Sequence, residues 1–110
     1  MDVYEALADP TRRAIVAMLA TGAKSAGDIA DRFPIAGPSV SRHLKVLRES
    51  GLISYRRDAT SRIYRLESEP LDEVRQWMQA QLDLVRDRFD RLGAHLEGIE
   101  HEHDGEGDGS

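Results

Sequence analysis

Apolar positions recur along the chain with two different periods, and the changes of period mark out its elements. Val3, Leu7 and, at the margin, Tyr4 share one side of a short helix expected over Val3 to Ala8. Asp9 then stands where a side chain can cap the open amides of a second helix, and Pro10 suits its first turn because it has no amide to satisfy. Ile15, Met18 and Leu19 line one side of that helix, which stops at Thr21-Gly22. Ser25 is the expected N-cap of a third helix, with Asp28 completing a shortened capping box, Ile29 and Phe33 as buried contacts, and Pro34 forcing the end. Gly37-Pro38 opens a fourth helix in which Val40, Leu44 and Leu47 fall at i, i+4 and i+7 on one stripe; Gly51 ends it.

From Leu52 the period drops towards two. Leu52 to Arg57 reads as a strand, Asp58 to Ser61 as a turn, and Arg62 to Leu66 as the returning strand, with charged and apolar residues alternating. An isolated two-stranded hairpin is marginal in water, so this one is expected to fold against the helices. The helical period returns near Pro70 and runs to about Leu96. Leu71, Val74, Met78, Leu82, Val85, Phe89, Leu92 and Leu96 are separated by 3, 4, 4, 3, 4, 3 and 4 residues, a heptad seam. So long a stripe is expected to pair with a second copy of the chain, rather than lie across its own small domain.

Composition sharpens this picture. The 110 residues allow one domain, placed at 1–96, and the low hydropathy and high charge of 97–110 predict a disordered acidic tail that contains histidines. The net charge of −5 conceals an uneven distribution. Residues 1–66 carry eleven Lys/Arg against seven Asp/Glu, whereas 67–110 carry four against thirteen. Between Arg32 and Arg65, eight basic residues face only Glu49 and Asp58. A chain acidic overall therefore presents a basic face, the electrostatic requirement for a nucleic-acid partner. The sequence has no cysteine, so disulfides and thiolate metal sites are excluded; no apolar run is long enough to cross a bilayer, and a cytoplasmic location is expected.

Helix, short turn, helix, hairpin, with the cations gathered on the second helix and the hairpin, is the order of a winged helix-turn-helix: a mainly α fold with a small β-hairpin. Packing through Val40, Leu44 and Leu47 leaves Pro38, Ser39, Ser41, Arg42 and Lys45 on the open face of the fourth helix, with His43 at its margin. Arginine can hold guanine O6 and N7 with two bonds, which makes Arg42 the candidate base reader, while Lys45 is the candidate phosphate contact. Arg56, Arg57 and Arg62 surround the hairpin turn, where they can grip the backbone beside the major groove or enter the minor groove. The expected partner is double-stranded DNA.

Two segments resemble the ArsR/SmtB family of bacterial repressors: Ala6-Leu7-Ala8-Asp9-Pro10-Thr11-Arg12-Arg13-Ala14-Ile15, and Pro38-Ser39-Val40-Ser41-Arg42-His43-Leu44-Lys45-Val46-Leu47-Arg48-Glu49-Ser50-Gly51-Leu52-Ile53. The similarity covers roughly Val3 to Met78. It implies a repressor that binds an inverted-repeat operator, often in its own promoter, as a homodimer paired through the first and last helices, with Leu7 added to the seam residues. It also maps the recognition helix onto Pro38 to Ser50. Family members that sense metal through a cysteine pair have no counterpart here, and no histidine lies between Pro70 and Arg91 to form the other usual site.

His95, His101 and His103, set among Glu97, Glu100, Glu102 and Asp104, remain as candidate ligands for nickel or zinc, since imidazole with carboxylate suits either ion. The competing expectation is a solvated acidic tail. Ser41 and His43 lie two apart on one helix and point different ways, so they do not form a nucleophile and base, and no glycine-rich phosphate loop is present. No enzyme is expected. An alternative from another class is a protein-interaction module in which the winged helix and C-terminal helix bind a second regulatory protein; the basic surface of Arg42, Lys45, Arg57 and Arg62 weighs against it.

Overall fold

The computed structural model describes residues 2–99, with side chains described for 2–93. The chain divides into two compact units, the first ending at Arg75 and the second beginning at Gln76.

The first unit begins with α1 (Val3–Ala6), shorter than the pattern suggests, and stabilised by a reciprocal capping box between Asp2 and Glu5 that the hydrophobic pattern does not reveal. The backbone-bonded Asp2 carboxyl is held below its ordinary pKa chiefly by the Glu5 amide. Next comes α2 (Pro10–Leu19), capped by the Asp9 side chain, which accepts from the Arg12 amide at 3.0 Å. Ser25 caps α3 (Ala26–Asp31) by accepting from the Asp28 amide; this helix is shorter than expected, and Phe33 lies beyond it, half-buried. The recognition-helix candidate, α4 (Gly37–Glu49), turns Val40, Leu44 and Leu47 inward as their spacing predicts. Gly51, at φ +85°, terminates it in the left-handed conformation that glycine adopts without strain.

The sheet differs from the expected two-stranded hairpin. Among the described residues it has three antiparallel strands in the order β1-β3-β2, where β1 is Lys24–Ser25, β2 is Ile53–Asp58 and β3 is Ser61–Leu66. Two residues are too few to register as a period in sequence, and Lys24 and Ser25 become a strand only because Tyr64 and Ile63 lie alongside. The third strand supplies part of the support that a lone hairpin lacks. Ala59, at φ +57°, makes the hairpin turn.

Ile15, Ile29, Leu47, Leu52 and Ile53 form the most deeply buried part of a single core, to which Ala6, Leu19, Val40, Leu44 and Tyr64 also belong. No polar or charged described residue is buried in it, so the interior needs no compensating ion pairs.

The last helix, α5, spans Ser68–Ile99. Its first turn belongs to the first unit, where Leu71 packs against the core. Within the second unit the same helix exposes Met78, Leu82, Val85, Phe89 and Leu92. The expected seam is therefore divided in its use: Leu71 is engaged by its own domain, Val74 is half-buried, and the residues from Met78 onward are exposed. Leu7, also expected at an interface, packs half-buried against the core. The expected disordered tail falls almost wholly at 100–110, outside the described residues. No helix among the described residues is long and apolar enough to cross a membrane.

Candidate nucleic-acid interface

The core stripe of α4 determines which of its side chains can meet a ligand. With Val40, Leu44 and Leu47 inside, Pro38, Ser41, Arg42 and Lys45 are exposed, while Ser39 is half-buried at the first turn. No ion pair among the described residues engages Arg42 or Lys45. Their charges therefore face solvent unneutralised, as phosphate or base contact requires. No side chain caps the start of α4, and the helix dipole there favours an anion.

The two flanks of α4 are held differently. His43 turns towards the start of α2, where its Nδ1 lies 3.4 Å from Arg12 Nη1 and 3.8 Å from Asp9 Oδ2, with 20% of the side chain exposed. The histidine expected at the margin of the binding face thus belongs to a polar cluster beside it. On the other flank Arg48 reaches the wing, its Cζ 5.4 Å from the centroid of the Tyr55 ring.

Strand register sorts the wing's arginines. Tyr55 pairs with Tyr64 and Arg57 with Arg62, whereas Arg56 pairs with Ile63 and Asp58 with Ser61. Since successive side chains alternate, Arg57 and Arg62 share the face of Tyr55 and Tyr64, and Arg56 lies on the reverse. Arg62 stacks on Tyr55 at 4.6 Å, and the Tyr55 and Tyr64 rings are 5.4 Å apart. A hydrogen bond with Tyr64 and the proximity of Tyr55 raise the Arg62 pKa, keeping its positive charge. Arg56 pairs with Asp58 at 3.8 Å, and both are largely exposed, so the pair adds little. On that reverse face Ser54 donates a short hydrogen bond to Glu67, and Arg65 approaches the same carboxylate at 3.1 Å; together they hold the Glu67 pKa down.

The three wing arginines are thus not one cluster. The structure joins Arg57 and Arg62 to the face that also carries Arg48, a residue the sequence pattern had left out of the site. Its spacing, three residues after Lys45 and six after Arg42, was the available signal.

A helix-turn-helix domain model matches residues 7–56. The transcriptional repressor SdpR of Bacillus subtilis is 40% identical over 77 residues, covering 70% of this chain and 86% of the relative. The HTH-type transcriptional regulator Rv2034 of Mycobacterium tuberculosis is 44% identical over 72 residues, covering 66% of this chain and 67% of the relative. In solved structures, an ArsR family transcriptional regulator superposes with a TM-score of 0.70 at 35% identity, over 76% of this chain and 86% of that one. The chain belongs to the ArsR family of helix-turn-helix transcriptional repressors. A possible transcriptional regulator for arsenical resistance superposes with a TM-score of 0.69 at 36% identity, over 86% of this chain and 96% of that one.

The protein is accordingly a DNA-binding transcriptional repressor with the winged helix-turn-helix fold of its family. These relatives are transcriptional regulators. Among the described residues no group of three or more His, Cys, Asp or Glu is arranged to hold a metal. Of the candidate nickel or zinc ligands, His95 lies within α5 where side chains are not described, and His101 and His103 lie outside the described residues.

Proposed function

We propose that this repressor works in the cytoplasm as a homodimer, joined through its C-terminal helices, and that each copy sets one α4 into the major groove of an inverted-repeat operator. The observation that carries this reading is the exposed stripe of Met78, Leu82, Val85, Phe89 and Leu92, each between 44% and 66% exposed. Five large apolar side chains at heptad spacing on one helix lose their contact with water when a second helix packs along them. Trp77 and Leu84 are exposed as well and sit off that seam, so the apolar surface is broader than a single strip. Leu7 and Leu71 are assigned to support of the interface from within the core.

In this reading Arg42 reads a base edge, and Ser39 and Ser41 bond bases or backbone beside it. Lys45, Arg48, Arg57 and Arg62 bind phosphates, with a further phosphate at the start of α4 near Pro38. Arg56, on the reverse of the wing, is peripheral. Two-fold symmetry then requires half-sites about one helical turn, roughly 34 Å, apart or a multiple of it.

Sedimentation equilibrium on the wild-type chain and on a Leu82→Glu/Phe89→Glu variant tests the pairing. The expected result is a dimer that protects two half-sites and a variant that is monomeric, folded and weak on the same duplex. A wild-type monomer protecting a single half-site would overturn the proposal.

A further inference from the structure

Arg12 lies outside the exposed binding face, yet its guanidinium touches two elements of the DNA-binding unit. Its Nε donates to the Ala6 carbonyl at 2.6 Å and its Nη2 to the Glu5 carbonyl at 3.0 Å, both at the end of α1. The remaining terminal nitrogen, Nη1, faces His43 Nδ1 on α4 at 3.4 Å. At the end of this four-residue helix the Glu5 carbonyl also accepts from the Ala8 amide at 3.1 Å, and the guanidinium adds donors to the Glu5 and Ala6 carbonyls in a fixed plane. Asp9 completes the group: its Oδ2 accepts from the Arg12 amide and lies 3.8 Å from the same His43 nitrogen.

Arg12 has donors only, so its approach to His43 needs Nδ1 as the acceptor and the ring proton on Nε2. The Asp9 carboxyl is held below its ordinary pKa first by the hydrogen bond from the Arg12 amide and further by the charge of the Arg12 guanidinium, and so stays ionised beside it. The apolar stripe of α4 fixes which face points inward, but Val, Leu and Leu contacts tolerate small sliding and rotation. A directional bond on one flank does not. His43 immediately follows Arg42, so any rotation that moves the imidazole from Arg12 also moves the candidate base reader.

We infer that Arg12, aided by Asp9, is a positioning residue that holds α4 by His43 in the orientation that operator recognition requires. This rests on the reading of α4 as the groove-entering helix, and it assigns His43 to alignment of that helix rather than to contact with DNA. Lysine at position 12 would keep the charge but lose the planar fork that serves α1 and α4 together.

The test uses the full chain and a duplex enriched by the wild-type protein from a random-sequence library, with a random duplex as reference. Arg12→Lys and His43→Leu are expected to lower affinity for the enriched duplex about tenfold. Affinity for random duplex and the dependence on salt should stay at wild-type values. His43→Asn, which places a carbonyl oxygen where Nδ1 stands, should recover most of the loss. Circular dichroism at the assay temperature confirms the fold of each variant; if Arg12→Lys does not fold, the His43 pair carries the comparison.

Wild-type discrimination in Arg12→Lys and His43→Leu would overturn the inference. So would a parallel loss on both duplexes, or a salt slope reduced by about one, the mark of a direct phosphate contact. Arg42→Ala separates the two levels: if it too leaves enriched-duplex binding unchanged, the assignment of the groove-entering face fails, whereas a loss there with unaffected Arg12 and His43 variants rejects only the positioning role.

Discussion

The Arg62 guanidinium lies over the Tyr55 ring, its Cζ 4.6 Å from the ring centroid. Arg48, from α4, approaches that ring at 5.4 Å, so one tyrosine is shared by the wing and α4. An arginine stacked in this way has fewer conformations to surrender when a phosphate binds it.

Tyr55→Phe is expected to preserve duplex affinity, because the ring face and not the hydroxyl carries the stacking. Tyr55→Ala should destabilise the fold by about 2 kcal/mol through lost burial and lost cation–π contact, and should weaken binding to all duplexes. Urea unfolding and fluorescence anisotropy measure the two effects. Equal affinity in Tyr55→Ala would show that the stacked arginines do not contribute to binding.

Arg42 and Lys45 should separate by the kind of loss they cause. Arg42→Ala is expected to cost about 1–3 kcal/mol on the operator and to relax preference at one base pair, as removal of a two-bonded base contact does. Lys45→Ala should weaken operator and random duplex alike and reduce the slope of log affinity against log salt by about one. Binding-site selection and salt titrations distinguish these outcomes, and identical profiles for the two variants would contradict the assigned roles.

Asp9 links stability to pH with a definite sign. Its pKa is depressed in the folded chain, mainly by the hydrogen bond from the Arg12 amide. The resulting stabilisation is fully present above the unfolded-state value of about 3.9 and is lost as pH falls through the lower folded-state value. Asp9→Ala should cost about 1 kcal/mol at neutral pH by removing the cap of α2. The gap between the two proteins should narrow in acid, while Asp9→Asn should retain most of the cap without that pH dependence. Denaturation curves from pH 7 down to about 3 check this; a gap that widens on acidification would contradict it.

Local chemistry made much of the candidate interface legible in the sequence. The caps at Asp9 and Ser25 act over three residues, and the inward stripe of Val40, Leu44 and Leu47 follows from helical geometry alone. With that stripe inside, the exposure of Ser41, Arg42 and Lys45 on α4 follows directly. The wing was legible as a hairpin, but not the strand that joins it, because Lys24 and Ser25 meet Tyr64 and Ile63 only after the chain has folded back across the intervening helices.

Periodicity and short-range hydrogen bonding were thus enough to specify the helices, the hairpin and the basic face of α4, since each depends on neighbours within a few residues. Folding alone determined that His43 meets Arg12 and Asp9, that Arg48 and Arg62 converge on Tyr55, and that Leu7 and Leu71 serve the chain's own core. A repeating pattern states which way a side chain faces on its own helix or strand; which distant side chain waits there depends on how the elements pack.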